Sequence, residues 1–412
     1  MYPRSNLDLV ALALLATACG TTEPTGTPSE LTALPRPLTN IESQLVERSN
    51  RFTFTLLKRV DDDPAENLFL SPLSVSMALG MTLNGAANAT LDSMRATLGV
   101  DGLSRDEINA GYRGLIDLLL DLDATTQMRV ANSVWVRQGL TADPTFVSAV
   151  GTHFDADVRT LDFASPSAVS TVNSWVSDAT NNRIPKVLER IADEDVMFLI
   201  NALFFKGKWR EPFDPRRTAD GVFTPASGAP QTARMMTREK VPIRLARGPA
   251  STVGELPYGN GAFSMAIVLP DEGVPLATVI DSLDDARWAA IAASLTPQEL
   301  DVTMPRFTLR FSTSLNKALK ALGMGIAFED GLADFRQLFT PNEPGPFISF
   351  VQHDAFVAVD EVGTEAAAVT TVGVGVTSLP PSFRVDRPFL FMIRERLSGT
   401  IVFVGRMARV PE

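Results

Sequence analysis

A chain of 412 residues that is 45% apolar, with a formal charge of −11, can bury one large core or two ordinary ones. Its pI near 4.9 and the lack of a clustered basic face exclude a nucleic-acid footprint. Cys19 is the single cysteine, so no intrachain disulfide can form and packing alone must hold the fold.

At the N-terminus Arg4 precedes an apolar run, Leu9-Val10-Ala11-Leu12-Ala13-Leu14-Leu15-Ala16, that ends in Thr17-Ala18-Cys19-Gly20. The run is too short to span a bilayer, which takes about 20 apolar residues. It reads as a signal peptide over residues 1–18. Small residues directly before a cysteine resemble the bacterial lipoprotein box. That resemblance implies cleavage before Cys19, lipidation of Cys19, and an exported protein anchored at the outer membrane or cell surface, with plain secretion as the alternative. Residues 19–40 are rich in Thr, Pro and Ser and are expected to form a disordered tether. Such a tether spans about 25 Å as a coil and at most about 70 Å extended.

From Ile41 onward, Leu45, Phe52, Leu56 and Val60 recur at roughly helical spacing, and Asp61-Asp62-Asp63-Pro64 ends that helix. Ser71-Pro72 opens a second helical run rich in small residues, Leu73-Ser74-Val75-Ser76-Met77-Ala78-Leu79. Residues 129–136 alternate and are β-branched, the mark of a strand. Residues 198–205 are continuously apolar, which suits a strand buried on both faces. Residues 263–269 and 300–307 read as further strands, residues 315–322 as a helix, and residues 389–393 with 401–404 as a closing hairpin. Helices and strands mix without βαβ alternation, so the class is α+β, with one domain over residues 41–412.

An enzyme is not expected. His153 and His353 are the only histidines, and neither a G-x-S-x-G elbow nor an H-E-x-x-H metal helix occurs. No cofactor or metal is called for.

The most telling segment follows Glu361: Val362-Gly363-Thr364-Glu365-Ala366-Ala367-Ala368-Val369-Thr370-Thr371-Val372-Gly373-Val374-Gly375-Val376-Thr377-Ser378. It holds small and β-branched residues, no proline and, after Glu365, no charge. Alternation puts Thr364, Ala366, Ala368, Thr370, Val372, Val374 and Val376 on one uncharged face. With Leu379-Pro380-Pro381-Ser382-Phe383 behind it, this stretch resembles the reactive-centre loop of the serpins, suicide inhibitors of proteases. Further segments match in order: Ser71-Pro72-Leu73-Ser74, Asn201-Ala202-Leu203-Phe204-Phe205-Lys206-Gly207-Lys208-Trp209, Met235-Met236, Glu255-Leu256-Pro257-Tyr258, Val268-Leu269-Pro270-Asp271-Glu272-Gly273, Met304-Pro305-Arg306-Phe307 and Arg387-Pro388-Phe389-Leu390-Phe391-Met392-Ile393.

The resemblance implies three β-sheets, about eight or nine helices and an exposed loop over residues 361–383. It implies a hinge at Gly363, Thr364, Glu365, Ala366, Ala367 and Ala368, and a polar shutter cluster of Ser71, Ser74, Asn201 and His353. A breach is implied at Trp209, Arg306 and Glu361, where loop insertion begins. Anchoring on Gly363 and Pro388-Phe389 places the scissile bond at Thr377-Ser378, with Val376-Thr377 and Val374-Gly375 as neighbouring alternatives. The implied partner is a serine protease of elastase-like or subtilisin-like specificity, held as a covalent acyl complex by a monomeric inhibitor. A non-inhibitory carrier or chaperone of the same fold is the alternative.

Overall fold

The computed structural model describes residues 28–60, 63–341, 346–363 and 381–411. In chain order the elements are α1 (Asn40–Val60), β1 (Leu68–Leu70), α2 (Pro72–Leu83), α3 (Asn88–Leu98), α4 (Arg105–Leu120), β2 (Thr126–Arg137), α5 (Pro144–Phe154), β3 (Asp157–Leu161), α6 (Ala168–Ala179) and β4 (Met197–Gly207). There follow β5 (Ala219–Phe223), β6 (Gln231–Gly248), β7 (Ser251–Pro257), β8 (Phe263–Pro270), α7 (Leu276–Ser282), α8 (Asp285–Ser294), β9 (Thr296–Pro305), β10 (Phe307–Ser314), α9 (Asn316–Leu319), β11 (Gln352–Val359), β12 (Ser382–Arg384), β13 (Phe389–Glu395) and β14 (Ile401–Met407). The class is α+β, with nine α-helices and three sheets among the described residues.

One sheet of nine strands runs β1-β14-β13-β8-β7-β6-β9-β12, with β5 on the side of β6. A three-stranded sheet runs β3-β2-β4, and β10 pairs with β11 as a third. The inner strands β8, β13 and β14 are buried at every residue, and Phe69 stacks on Phe391 and Phe403 in that core. Helix α2 packs against both β4 and β14 and is buried except at Ala78. A helix covered all round needs no polar face; its Ser74 meets Asn201 of β4, and Gly80 lets Tyr112 of α4 come close.

Four expectations change. Residues 28–39 are not a loose tether: Leu31, Leu34 and Leu38 pack on the core, and Thr39 with Glu42 caps α1 by reciprocal hydrogen bonds of 2.8 and 3.1 Å. Their Leu-x-x-Leu-x-x-x-Leu spacing, hidden among prolines and threonines, supplies the apolar side that average composition conceals. Residues 300–307 are not one strand, because β9 ends at Pro305 and Phe307 opens β10 in another sheet. The helix beginning near Leu315 keeps α geometry only over α9 and widens over residues 320–324 around Gly323, whose φ is +108°. Strand β4 is buried at residues 203–205, but Met197, Leu199 and Ile200 are only half-buried.

Candidate functional site

The half-buried start of β4 marks the site. Strands β4 and β11 both run toward one end of the molecule, where the Trp209 N–H donates to Val362 O at 2.7 Å and the Phe213 N–H to Glu361 O at 2.7 Å. Lys208 and Gly363 form a β-bridge there. Away from that end no ladder joins the two strands among the described residues, since β4 pairs with β2 and β11 with β10. Between their opening residues lies a cavity of about 790 Å³, walled by Met197, Leu199, Phe350 and His353 and floored by Val75 and Leu79 of α2. Main-chain donors and acceptors facing such a gap lack a strand partner, as at any free sheet edge.

The closed end is tightly fitted. A Cβ added to Gly363 would fall 2.1 Å from Gly207 O and 2.6 Å from Lys208 Cα. Only glycine permits that approach of backbone to backbone. The Asp360 carboxylate accepts from the N–H groups of Val362 and Gly363 at 2.9 and 3.2 Å, fixing the turn that brings them to β4. The Trp209 indole N–H donates to Asp360 O at 2.8 Å, and its ring stacks on Tyr258 with centroids 4.5 Å apart. Glu361, 9% exposed at its side chain, lies 3.6 Å from the Arg306 guanidinium, which is 56% exposed. Its closer partner is the Thr218 hydroxyl, which donates at 2.7 Å.

Beneath the gap runs a polar chain. Ser71 caps α2: its hydroxyl accepts from the Ser74 N–H at 3.3 Å and donates to Val402 O at 2.9 Å. The Ser71 N–H donates to His353 Nε2 at 3.1 Å, and the Ser74 hydroxyl donates to Asn201 Oδ1. Asn201 Nδ2 donates to Asn132 Oδ1 at 2.5 Å, and Asn132 Nδ2 to Phe154 O at 2.5 Å. Ser71, Ser74, Asn201 and His353 are thus joined, but Asn201 and His353 are linked here through Ser74 of α2 and its cap Ser71. Burial pushes the His353 pKa down to about 4, so the ring is neutral and accepts a hydrogen bond. His153 lies in the last turn of α5, beside Phe154, and contributes no side chain to these bonds.

Asn132, Thr218 and Asp360 belong to this arrangement and were not picked out from the sequence. Asn132 could have been found as the cross-strand partner of Asn201, whereas no local pattern links Thr218 to Glu361. Thr364, Glu365, Ala366, Ala367, Ala368, Thr377, Ser378 and Cys19 lie outside the described residues.

The family model for Serpin (serine protease inhibitor) matches residues 47–410. This chain belongs to the serpin family. Among curated relatives of this serpin, Iripin-2 of Ixodes ricinus is 33% identical over 90% of this chain and 94% of its own. Serpin B8 of Homo sapiens is 33% identical over 88% and 99%, and the leukocyte elastase inhibitor of Xenopus laevis 31% over 86% and 96%. Of solved structures, the native thermophilic serpin tengpin superposes with a TM-score of 0.83 at 29% identity, covering 92% of this chain and 98% of its own. Thyroxine-binding globulin in complex with thyroxine gives 0.82 at 26%, covering 90% and 100%. The serpin family is one of protease inhibitors, and members such as the last carry a small molecule.

Proposed function

We propose that this serpin is a suicide inhibitor of serine proteases with elastase-like or subtilisin-like specificity, cut at Thr377-Ser378, and that its cleaved loop enters the gap between β4 and β11. The observation that carries this reading is the gap itself: closed at the Gly363 end, open below, and unladdered on both sides. The target's serine attacks the Thr377 carbonyl, Ser378 leaves as a new N-terminus, and the Thr377 ester travels with the inserting strand. Small, β-branched Val376 and Thr377 suit a narrow apolar specificity pocket.

Register supports the direction of insertion. Continuing the antiparallel Lys208–Gly363 bridge residue by residue puts residue 364 beside Gly207 and Thr370 beside Asn201, with Val372 and Val374 beside Leu199 and Met197. Phe205, Leu203 and Asn201 alternate on the side of β4 that faces α2, Asn201 through its bond with Ser74. The loop residues beside them are the uncharged set, Thr364 to Val376. In this reading Gly363 to Ala368 act as hinge, the Ser71, Ser74, Asn201 and His353 chain as shutter, and Trp209, Arg306 and Glu361 as breach.

Incubation with an elastase-like and a subtilisin-like protease, followed by denaturing gels and intact mass, tests this. A covalent complex and a released peptide beginning at Ser378 are expected. Thr364→Arg, which puts a charge at the leading edge of the buried face, is expected to be cleaved and released without complex. Cleavage of the unsubstituted protein without complex would instead favour the non-inhibitory reading. We further propose export with a lipid on Cys19, a monomer, and no cofactor; Cys19→Ser is then expected to move the protein from the membrane to the soluble fraction.

A further inference from the structure

Residues 28–36 touch several separate parts of the molecule at once. The Arg210 guanidinium, three residues beyond the end of β4, donates to Pro28 O at 2.7 Å and to Gly259 O at 3.0 Å. On the nine-stranded sheet, the Leu31 N–H donates to Asn260 O at 2.7 Å in the β7–β8 turn, and Arg396 donates to Leu31 O at 2.8 Å. Glu30 lies 3.2 Å from Arg396 and 3.4 Å from Arg244 of β6. Farther along, Arg36 forms a two-pronged pair with Glu42 at 2.7 Å and reaches Gly114 O of α4 at 2.9 Å.

The connection to the closed end of the gap is short. Arg210 follows Trp209, whose N–H bonds to Val362 O, and Gly259 N donates to Lys208 O at 2.8 Å, the residue bridged to Gly363. Parting β4 from β11 at that end means moving the end of β4 relative to the nine-stranded sheet, and residues 28–31 are fastened to both. We propose that residues 28–36 are a strap that holds the Trp209–Gly363 end of the sheet closed and so sets the barrier to spontaneous loop insertion. The proposal names a regulator of the site above and rests on the insertion reading for its consequence. The contact itself does not depend on that reading.

The strap is tested in the full-length chain by opening it and by locking it. Glu30→Arg places a cation against Arg244 and Arg396. It is expected to raise hydrogen exchange at the Trp209 and Phe213 amides, with no change at buried Val75, and to speed conversion on mild warming to a non-inhibitory, more heat-resistant form by about three- to tenfold. The pair Leu31→Cys with Asn260→Cys, in a Cys19→Ser background, joins two residues already linked main chain to main chain. Oxidised, it is expected to slow conversion, and reduction to restore the rate. Unchanged exchange at Trp209 and Phe213 in both variants would overturn the strap, whether or not the protein converts. Altered exchange in a chain that never converts would support the contact but overturn its role in setting the barrier to spontaneous insertion, while insertion after cleavage stands or falls on the covalent-complex assay above.

Discussion

At the scale of single residues, burial changes the chemistry of His353. Buried and accepting from the Ser71 N–H, it keeps a pKa of about 4 against an ordinary 6.5. As pH falls below 6.5 the unfolded chain takes up a proton that the folded state refuses, so stability declines down to about pH 4 and levels off below. The shift corresponds to about 3 kcal/mol. Urea unfolding at pH 7.5 and 4.5 should show that loss in the unsubstituted protein and much less of it in His353→Gln. Equal losses in both would assign the effect to other groups. Ser71, Ser74 and Asn201 were legible because family segments carry them, and His353 only as a position implied by the resemblance. Asn132 and Thr218 were not, since each earns its place by a partner 69 and 143 residues away in sequence.

Among elements, the junction of β4 with β11 is where the proposed insertion would begin. Its closed end depends on Gly363, whose missing side chain lets two backbones meet. Gly363→Ala forces them apart by placing a methyl against Gly207 O and Lys208 Cα, and is expected to lower the unfolding midpoint of the native form while accelerating loop-inserted polymer formation on warming. Native gels against time at fixed temperature measure this, and a rate equal to that of the unsubstituted chain would show that the contact does not limit opening. The strand at residues 198–205 was legible from its apolar run, but full burial was not the outcome, because periodicity reports what a strand can bury and says nothing of a neighbour that is missing. Likewise Pro305, lacking an N–H, ends β9 where hydrophobicity alone runs on through Phe307. The docked residues 28–39 escaped notice because the segment was read by its average composition, in which prolines and threonines mask three leucines spaced i, i+3, i+7.

For the whole molecule, the α+β class and three-sheet plan followed from the order of segments, while the division of the sheet into separately paired halves is a tertiary fact that no segment carries. In the proposed reading, a gap of about 790 Å³ that is closed at the Gly363 end makes the uncut chain a native state with a more stable arrangement within reach. Filling the gap with a strand of about ten residues adds hydrogen bonds worth about 0.5–1.5 kcal/mol each and buries valines worth about 1.5–3 kcal/mol apiece. The most direct test is calorimetric: compare the unfolding midpoint of the intact protein with that of the protein cut at Thr377-Ser378, with both fragments retained. The account predicts a rise on the order of 10–20 °C after cleavage. A midpoint that stays level or falls would show that the cut loop remains outside the sheet and would contradict inhibition by insertion.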